Sequence, residues 1–401
     1  MRTLTLLLLA LTTSAFAEDW PNWRGPDRNG ISPETDILTV WANNEPDILW
    51  KAKVGTGFSS IAVANGRIFT MGNNGGKETV YCFDAKTGEE KWKHTYDCPL
   101  DPKYFEGGPT STPTVDGKNV YTLSRRGHVF CFEAASGKVV WAENPATDND
   151  MSLPAWGFSG SPLALGDRLY LNIGESGMAL DKNTGKVIWK SDTAEAGYST
   201  PLPVERDGKT ALLLGSAKSF LAVDAKTGKE LWSHKWLTRY GVNASDPIVS
   251  GDRIFISSGY KKGCALLEWK AGEAEPSEVW ENKVLMTQMN PAVLIDGHLY
   301  GTDGNDGTKN PLKCVKFDTG EVLWEQAGIG TGGVTATKDG MLIVLSARGE
   351  LHIALASPNG FDPAASGQVL GGKCWTVPVL ANGKIYCRNA AGDVVCVNVS
   401  K

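Results

Sequence analysis

The 401-residue chain has few of the features that mark the commoner functional classes. Beyond its first seventeen residues it has no apolar run long enough to cross a bilayer as a helix. It has no Cys-x-x-Cys-His and no adjacent cysteines, which excludes a c-type haem attachment. Its five histidines, His94, His128, His234, His298 and His352, are far apart and give no zinc spacing. It has no cationic excess: 40 basic residues stand against 45 acidic ones, for a net charge of −5, and the basic residues are scattered. That argues against a nucleic-acid partner. A helical hydrophobic period is also missing after the N-terminus.

The N-terminus reads as an export signal. Arg2 is the positive region, Leu4 to Leu11 the apolar core, and Ala15-Phe16-Ala17 an A-x-A cleavage site. Cleavage after Ala17 is expected, which places the mature chain in a periplasm or outside the cell. No cysteine follows the apolar run, so a lipid anchor at that position is not available. Export permits disulfides. Among the eight cysteines only Cys387 and Cys396, flanking a short hairpin, are a candidate pair.

What the chain has in excess is glycine, 46 residues, and tryptophan, 14 residues. Both belong to a repeat. Asp84-Ala-Lys-Thr-Gly88-Glu-Glu-Lys-Trp92 recurs as Glu133-Ala-Ala-Ser-Gly137-Lys-Val-Val-Trp141, Asp181-Lys-Asn-Thr-Gly185-Lys-Val-Ile-Trp189 and Asp224-Ala-Lys-Thr-Gly228-Lys-Glu-Leu-Trp232. Looser copies end at Trp280 and Trp324, and Trp50 falls in register before the first. A second mark is a hairpin dipeptide between alternating apolar runs: Asn65-Gly66, Asp116-Gly117, Gly166-Asp167, Asp207-Gly208, Gly251-Asp252, Asp296-Gly297, Asp339-Gly340 and Asn382-Gly383. Eight such turns give eight four-stranded units, A to D, with the tryptophan on strand D. Radial repetition of such units makes a propeller.

The expected fold is therefore all-β: an eight-bladed β-propeller of four-stranded antiparallel blades. The last unit stops at its C strand, so Ile48–Val54, carrying Trp50, should complete it and close the ring, removing an open edge. Trp50, Trp92, Trp141, Trp189, Trp232, Trp280 and Trp324 are read as structural wedges between blades. Blade seven lacks the tryptophan, and its D strand is expected near Gln368-Val-Leu370. The divisions are residues 1–17 as signal, 18–46 as a segment lying on the propeller with Trp20 and Trp23 buried, and 47–401 as the propeller.

The Asp-x-x-Thr-Gly-x-x-x-Trp repeat resembles the tryptophan motif of the PQQ-like (pyrroloquinoline-quinone-like) β-propeller superfamily. The likeness covers about residues 47–400. That group includes quinoprotein alcohol dehydrogenases and the non-enzymatic BamB propellers of outer-membrane assembly. The dehydrogenase branch implies PQQ stacked on an aromatic ring, Ca²⁺ held by Glu, Asn and Asp oxygens, and an aspartate base. The present chain lacks that branch's adjacent-cysteine disulfide, its long insertions and a haem domain.

The starts of the A strands supply a candidate site at the channel mouth: Phe58, Trp156, Phe158, Tyr198, Ser199, Asp246, Asn290 and Trp375. Trp156, Tyr198 and Trp375 could stack a ligand, and Asp246 is the candidate base if the chain is an enzyme. The alternative is that small hydroxyl residues merely begin crowded inner strands. Asp303-Gly-Asn305-Asp306-Gly307 has the composition of a calcium loop, but it lacks the closing Glu and falls where a turn is due, so no metal site is assigned. The leading expectation is a monomeric, non-catalytic binding or scaffold propeller whose partner is an envelope protein, a polysaccharide or a small ligand. A calcium-dependent PQQ dehydrogenase acting on an alcohol or sugar, and a BamB-type assembly factor, are the alternatives.

Overall fold

In the computed structural model, residues 19–42, 45–305 and 307–401 are described, so the export signal lies outside the described residues. Eight antiparallel sheets are arranged as a propeller. Blade 1 holds Ala62–Ala64, Arg67–Asn74, Lys77–Asp84 and Glu90–Asp97 as strands A to D. Blades 2 to 7 repeat the pattern. Blade 8 takes its A to C strands from Val379–Ala381, Lys384–Arg388 and Asp393–Asn398, and its D strand from Ile48–Lys53 near the other end of the chain. Trp50 pairs with Cys396 in that sheet, so the first strand of the ring closes the last blade.

The hairpin dipeptides form the A–B turns. Asn65 and Gly66 both have positive φ, 53° and 71°, as a type I′ turn requires. The glycine of the repeat does two things. Gly88 has φ of +72°, and a Cβ there would lie 2.6 Å from the Trp50 ring. At Gly228 a Cβ would lie 2.4 Å from Trp189. Each glycine is thus the seat for the tryptophan of the preceding blade. Trp50, Trp92, Trp141, Trp189, Trp280 and Trp324 then donate their indole N–H to carbonyls just past strand C of the next blade: those of Ala85, Ala134, Lys182, Ala225, Phe317 and Ser357, at 2.8 to 3.2 Å. Motif and seat belong to different blades, so each copy ties its blade to the next. Trp232 is the exception. Its neighbour carries Trp269 at the seat, the two rings meet edge-on at 5.5 Å, and the Trp232 N–H has no partner among the described residues.

Blade 7 departs from the expectation. Its D strand is Pro363–Gln368, several residues earlier than Gln368–Leu370, because the chain turns back at once after Pro358-Asn359-Gly360. Val369 and Leu370 instead enter the buried cluster between blades 7 and 8. That blade has no tryptophan of its own. Trp41 and Ile37, from the segment before the ring, are buried in the same cluster. Cys387 and Cys396 do not pair. Cys387 lies opposite Val395 and Cys396 opposite Tyr386, so the two thiols point to opposite faces of the sheet. All eight cysteines are free and buried.

Candidate functional site at the two ends of the channel

The A strands line the central channel, and their first residues form a belt. The Ser60 N–H donates to Thr112 Oγ1 of the next blade at 3.1 Å, Thr112 N–H to Ser161 Oγ at 3.0 Å, and Ser161 N–H to Thr200 Oγ1 at 3.0 Å. Thr200 N–H then donates to Asp246 Oδ1 at 2.7 Å. Four junctions therefore use one small side chain each to satisfy the backbone of the blade before it. An unsatisfied amide at these buried positions would cost about 1–3 kcal/mol. Asn290 stitches the far side, donating from Nδ2 to the carbonyls of Gly332 at 3.0 Å and Trp375 at 2.9 Å.

The segment before the ring crosses the A–B turn end of this channel. Trp20, 1% exposed, bridges to Val63 of blade 1. The Pro21 carbonyl accepts from Val115 N–H of blade 2. Trp23 donates its indole N–H to Asp246 Oδ2 at 2.6 Å on blade 5. Arg24 donates from Nη2 to the Ala292 carbonyl of blade 6 at 2.9 Å. Ile31–Ser32 adds a parallel strand to the inner edge of blade 7, and Leu38 N–H reaches the Val399 carbonyl of blade 8. Trp23 itself is half-buried rather than buried, although its indole N–H reaches the buried channel carboxylate. Burial pushes the Asp246 carboxyl up to about 6, against the opposing pull of the Arg24 charge. Burial likewise lowers Arg24 to about 10.

The mouth at the other end is aromatic. Phe58 stacks on Trp375 with centroids 5.7 Å apart and meets Phe105 at 5.7 Å. Lys373 lies over Trp375 at 4.2 Å and pairs with Glu106. Further round, Trp156 meets Tyr198 at 6.0 Å and Tyr240 at 6.3 Å, and Tyr240 meets Tyr260 at 5.1 Å, all edge-on. Near Phe105, Arg125 is buried and paired with Asp101 at 3.1 Å. Glu78 is fully buried and accepts from the Tyr96 hydroxyl at 2.8 Å. Burial pushes its carboxyl up to about 7, against that hydrogen bond and the Arg125 charge.

The candidate residues therefore separate. Phe58, Trp156 and Trp375 line the mouth, half-exposed. Tyr198 lies under Trp156, 6% exposed, its hydroxyl accepting the Trp156 main-chain N–H at 3.4 Å. Phe158 is not at the mouth: it is 1% exposed in the core between blades 2 and 3. Ser199 is fully buried, and its Oγ accepts from Gly215 N–H at 2.7 Å. Asp246 and Asn290 are buried in the belt. Sequence reading missed Phe105, Tyr240 and Tyr260 at the rim and Arg24 beside Asp246. The signal for the rim residues was their place in D–A and B–C connections, the loops that a propeller gathers at one end.

These residues do not fit a calcium–quinone pair. Both oxygens of Asp246 are taken by N–H donors, and the adjacent charge is a guanidinium. Asp303, in the calcium-like loop, is paired with Lys313 at 2.8 Å and accepts from Met286 N–H at 2.7 Å. Among the described residues no three His, Cys, Asp or Glu side chains converge as metal ligands.

A family model described as outer membrane protein assembly factor BamB matches residues 36–100 and 76–326. The chain belongs to this PQQ-like, BamB-type family. Among relatives of this BamB-type propeller, BamB of Yersinia pestis is 23% identical, over 91% of this chain and 93% of its own length. A quinoprotein ethanol dehydrogenase of Pseudomonas aeruginosa is 29% identical over 36% of this chain, and the match spans only 26% of the dehydrogenase. In three dimensions BamB of Moraxella catarrhalis superposes with a TM-score of 0.65 at 17% identity, covering 88% of this chain and 99% of that one. The structural likeness establishes the shared fold. Among the described residues of the BamB-type chain, no helix is long and apolar enough to cross a membrane.

Proposed function

We propose that this protein is an exported, non-catalytic propeller that holds another envelope component on the mouth face of its ring. One observation carries the reading: the channel carboxylate that a quinoprotein mechanism would use as its base is spent on Thr200 and Trp23, beside Arg24. A general base needs a free oxygen within hydrogen-bond reach of the proton it takes. Family membership and the export signal read at residues 1–17 support the envelope setting. Addition of PQQ and Ca²⁺ to the purified protein should give neither stoichiometric uptake nor dye-linked alcohol oxidation. Uptake with turnover overturns the reading. N-terminal sequencing of the periplasmic fraction should begin at Glu18.

A BamB-type assembly role is a second reading, favoured by the match to Yersinia BamB over nearly the full length of both chains. Affinity capture from solubilised envelopes tests it. Recovery of outer-membrane assembly components supports the role, and their absence removes it.

A further inference from the structure

Part of the mouth face is divided by charge. The loops from strand D of blade 2 to strand A of blade 4, residues 144–162, 172–177 and 191–201, carry Asp148, Asp150, Glu175, Asp192 and Glu195 and not one lysine or arginine; in the B–C turn of blade 2 before them, Arg125 and Arg126 are both paired with Asp101. The next loops round the ring, residues 216–218, 236–247, 259–262 and 283–292, carry Lys218, Arg239, Lys261, Lys262 and Lys283. Their single acid is Asp246, 7% exposed inside the channel. Lys262 is paired with Glu281 and lies over Trp236 at 3.6 Å. Arg239, Lys261 and Lys283 make no ion pair among the described residues.

The aromatic chain Trp156–Tyr240–Tyr260 stands on the seam between the two arcs. Tyr240 is 48% exposed with Arg239 over its ring at 5.3 Å, and Leu237 in the same loop is 51% exposed. Tyr260 and Lys261 both have positive φ, 53° and 62°. Such a conformation is strained for side-chain-bearing residues and persists where its surroundings hold it. Here Asn305 Oδ1 accepts the Tyr260 N–H at 3.3 Å. The hydrogen bond holds the backbone of the turn, from which the exposed Lys261 side chain springs beside Tyr260.

We infer that the arc of Leu237, Arg239, Tyr240, Tyr260 and Lys261 docks an acidic, extended protein segment that carries an apolar side chain. The inference rests on the non-catalytic binding reading above and names the chemistry of its partner. Arg239 and Lys261, without an ion pair among the described residues and with no exposed carboxylate in their loops, select an anion. Exposed Tyr and Arg are among the side chains that anchor protein partners, and Leu237 beside them adds apolar area for an apolar side chain to cover. A sugar chain would use the rings and the cations but leave Leu237 in water.

The test uses the mature chain and a fluorescein-labelled twelve-residue peptide of Asp and Glu around one Phe. Saturable binding is expected. The double charge reversal Arg239→Glu with Lys261→Glu should weaken it at least tenfold and flatten its salt dependence. Leu237→Ala with Tyr240→Ala should weaken it about tenfold while leaving the salt dependence in place. All these positions are at the surface, and unchanged thermal midpoints verify folding. The inference is overturned if a Gln/Asn version of the peptide binds equally well, or if the variants bind like the parent. It is also overturned if polygalacturonate binds in place of the peptide, or if sedimentation shows that the same charge reversals break a dimer of this chain. Any of these leaves the non-catalytic reading intact, since that fails only on quinone-dependent turnover.

Discussion

The two ends of the channel are built from opposite chemistry. The A–B turn end is closed by the segment before the ring, whose backbone and side chains reach blades 1, 2, 5, 6, 7 and 8. Trp20, Asn22, Arg24, Ile37 and Trp41 of this segment are buried against the ring, and Arg24 Nε and Nη1 and Trp41 Nε1 are buried donors without a partner among the described residues. The mouth end carries half-exposed rings and unpaired cations, on loops that no other part of the described chain covers. The first end has the marks of a structural closure, in which the backbone and side chains of the segment are spent on the blades it crosses. The second has the marks of a surface that still has binding to offer. What looked in the sequence like one ring of polar residues at a mouth therefore separates: the hydroxyls join blade to blade in the belt, Asp246 ties the belt to the closing segment, and the aromatics serve the rim.

The largest expected effect strikes the ring where it closes. Arg388, 1% exposed, donates to the carbonyls of Ser59, Met71, Gly55 and Gly57 and to Thr70 Oγ1, joining blade 8 to blade 1. Arg388→Met should cost about 3–5 kcal/mol in urea unfolding, because several buried acceptors lose their donor at once. Next comes the closed end. Trp20→Ala should cost about 3–4 kcal/mol and expose residues 19–42 to protease before the ring unfolds. An equal loss of protection throughout the chain would mean that the segment is part of the core rather than a closure.

A smaller effect comes from pH. Asp246 and Glu78 have folded-state values raised by burial to about 6 and about 7, above those of the unfolded chain. A carboxyl raised in this way contributes stability that is complete below about pH 4 and lost as pH rises through its folded value. Stability should therefore fall between about pH 4 and 7, by up to about 3 kcal/mol for each group. Asp246→Asn should flatten the lower part of that slope and Glu78→Gln the upper part, as read from denaturation midpoints. A slope unchanged in both variants would show that the two carboxyls keep ordinary values. The smallest effect belongs to the mouth: Leu237→Ala and Tyr240→Ala should each shift stability by no more than about 0.5 kcal/mol. A loss of several kcal/mol there would erase the contrast between the two ends.

Much of the architecture was legible because it repeats. The Gly–Trp spacing and the Asn/Asp-Gly turns are local signals, since a type I′ turn and a seat for an indole each demand particular residues within a few positions. Copies of such signals reveal the blade count and the closure by Trp50. Blade 7 was less legible: its tryptophan is missing, so the start of its D strand was misplaced. The substitution of Trp41 at that junction joins residues some three hundred positions apart and leaves no local trace. The cysteine pairing failed on side-chain alternation, which depends on register rather than on distance along the chain.

The site was less legible still. Phe158 and Trp156 are two residues apart, yet one is core and the other is rim. By itself the sequence determined an eight-bladed ring, because turn chemistry and the Gly–Trp motif act within one unit and are written eight times. Only the tertiary structure decided that Asp246 is held by Trp23 beside Arg24, that the hydroxyls form a belt, and that an acidic and a basic arc meet at the Trp156–Tyr240 seam of the mouth. Those facts depend on residues brought together by closure of the ring, which has no period in the sequence.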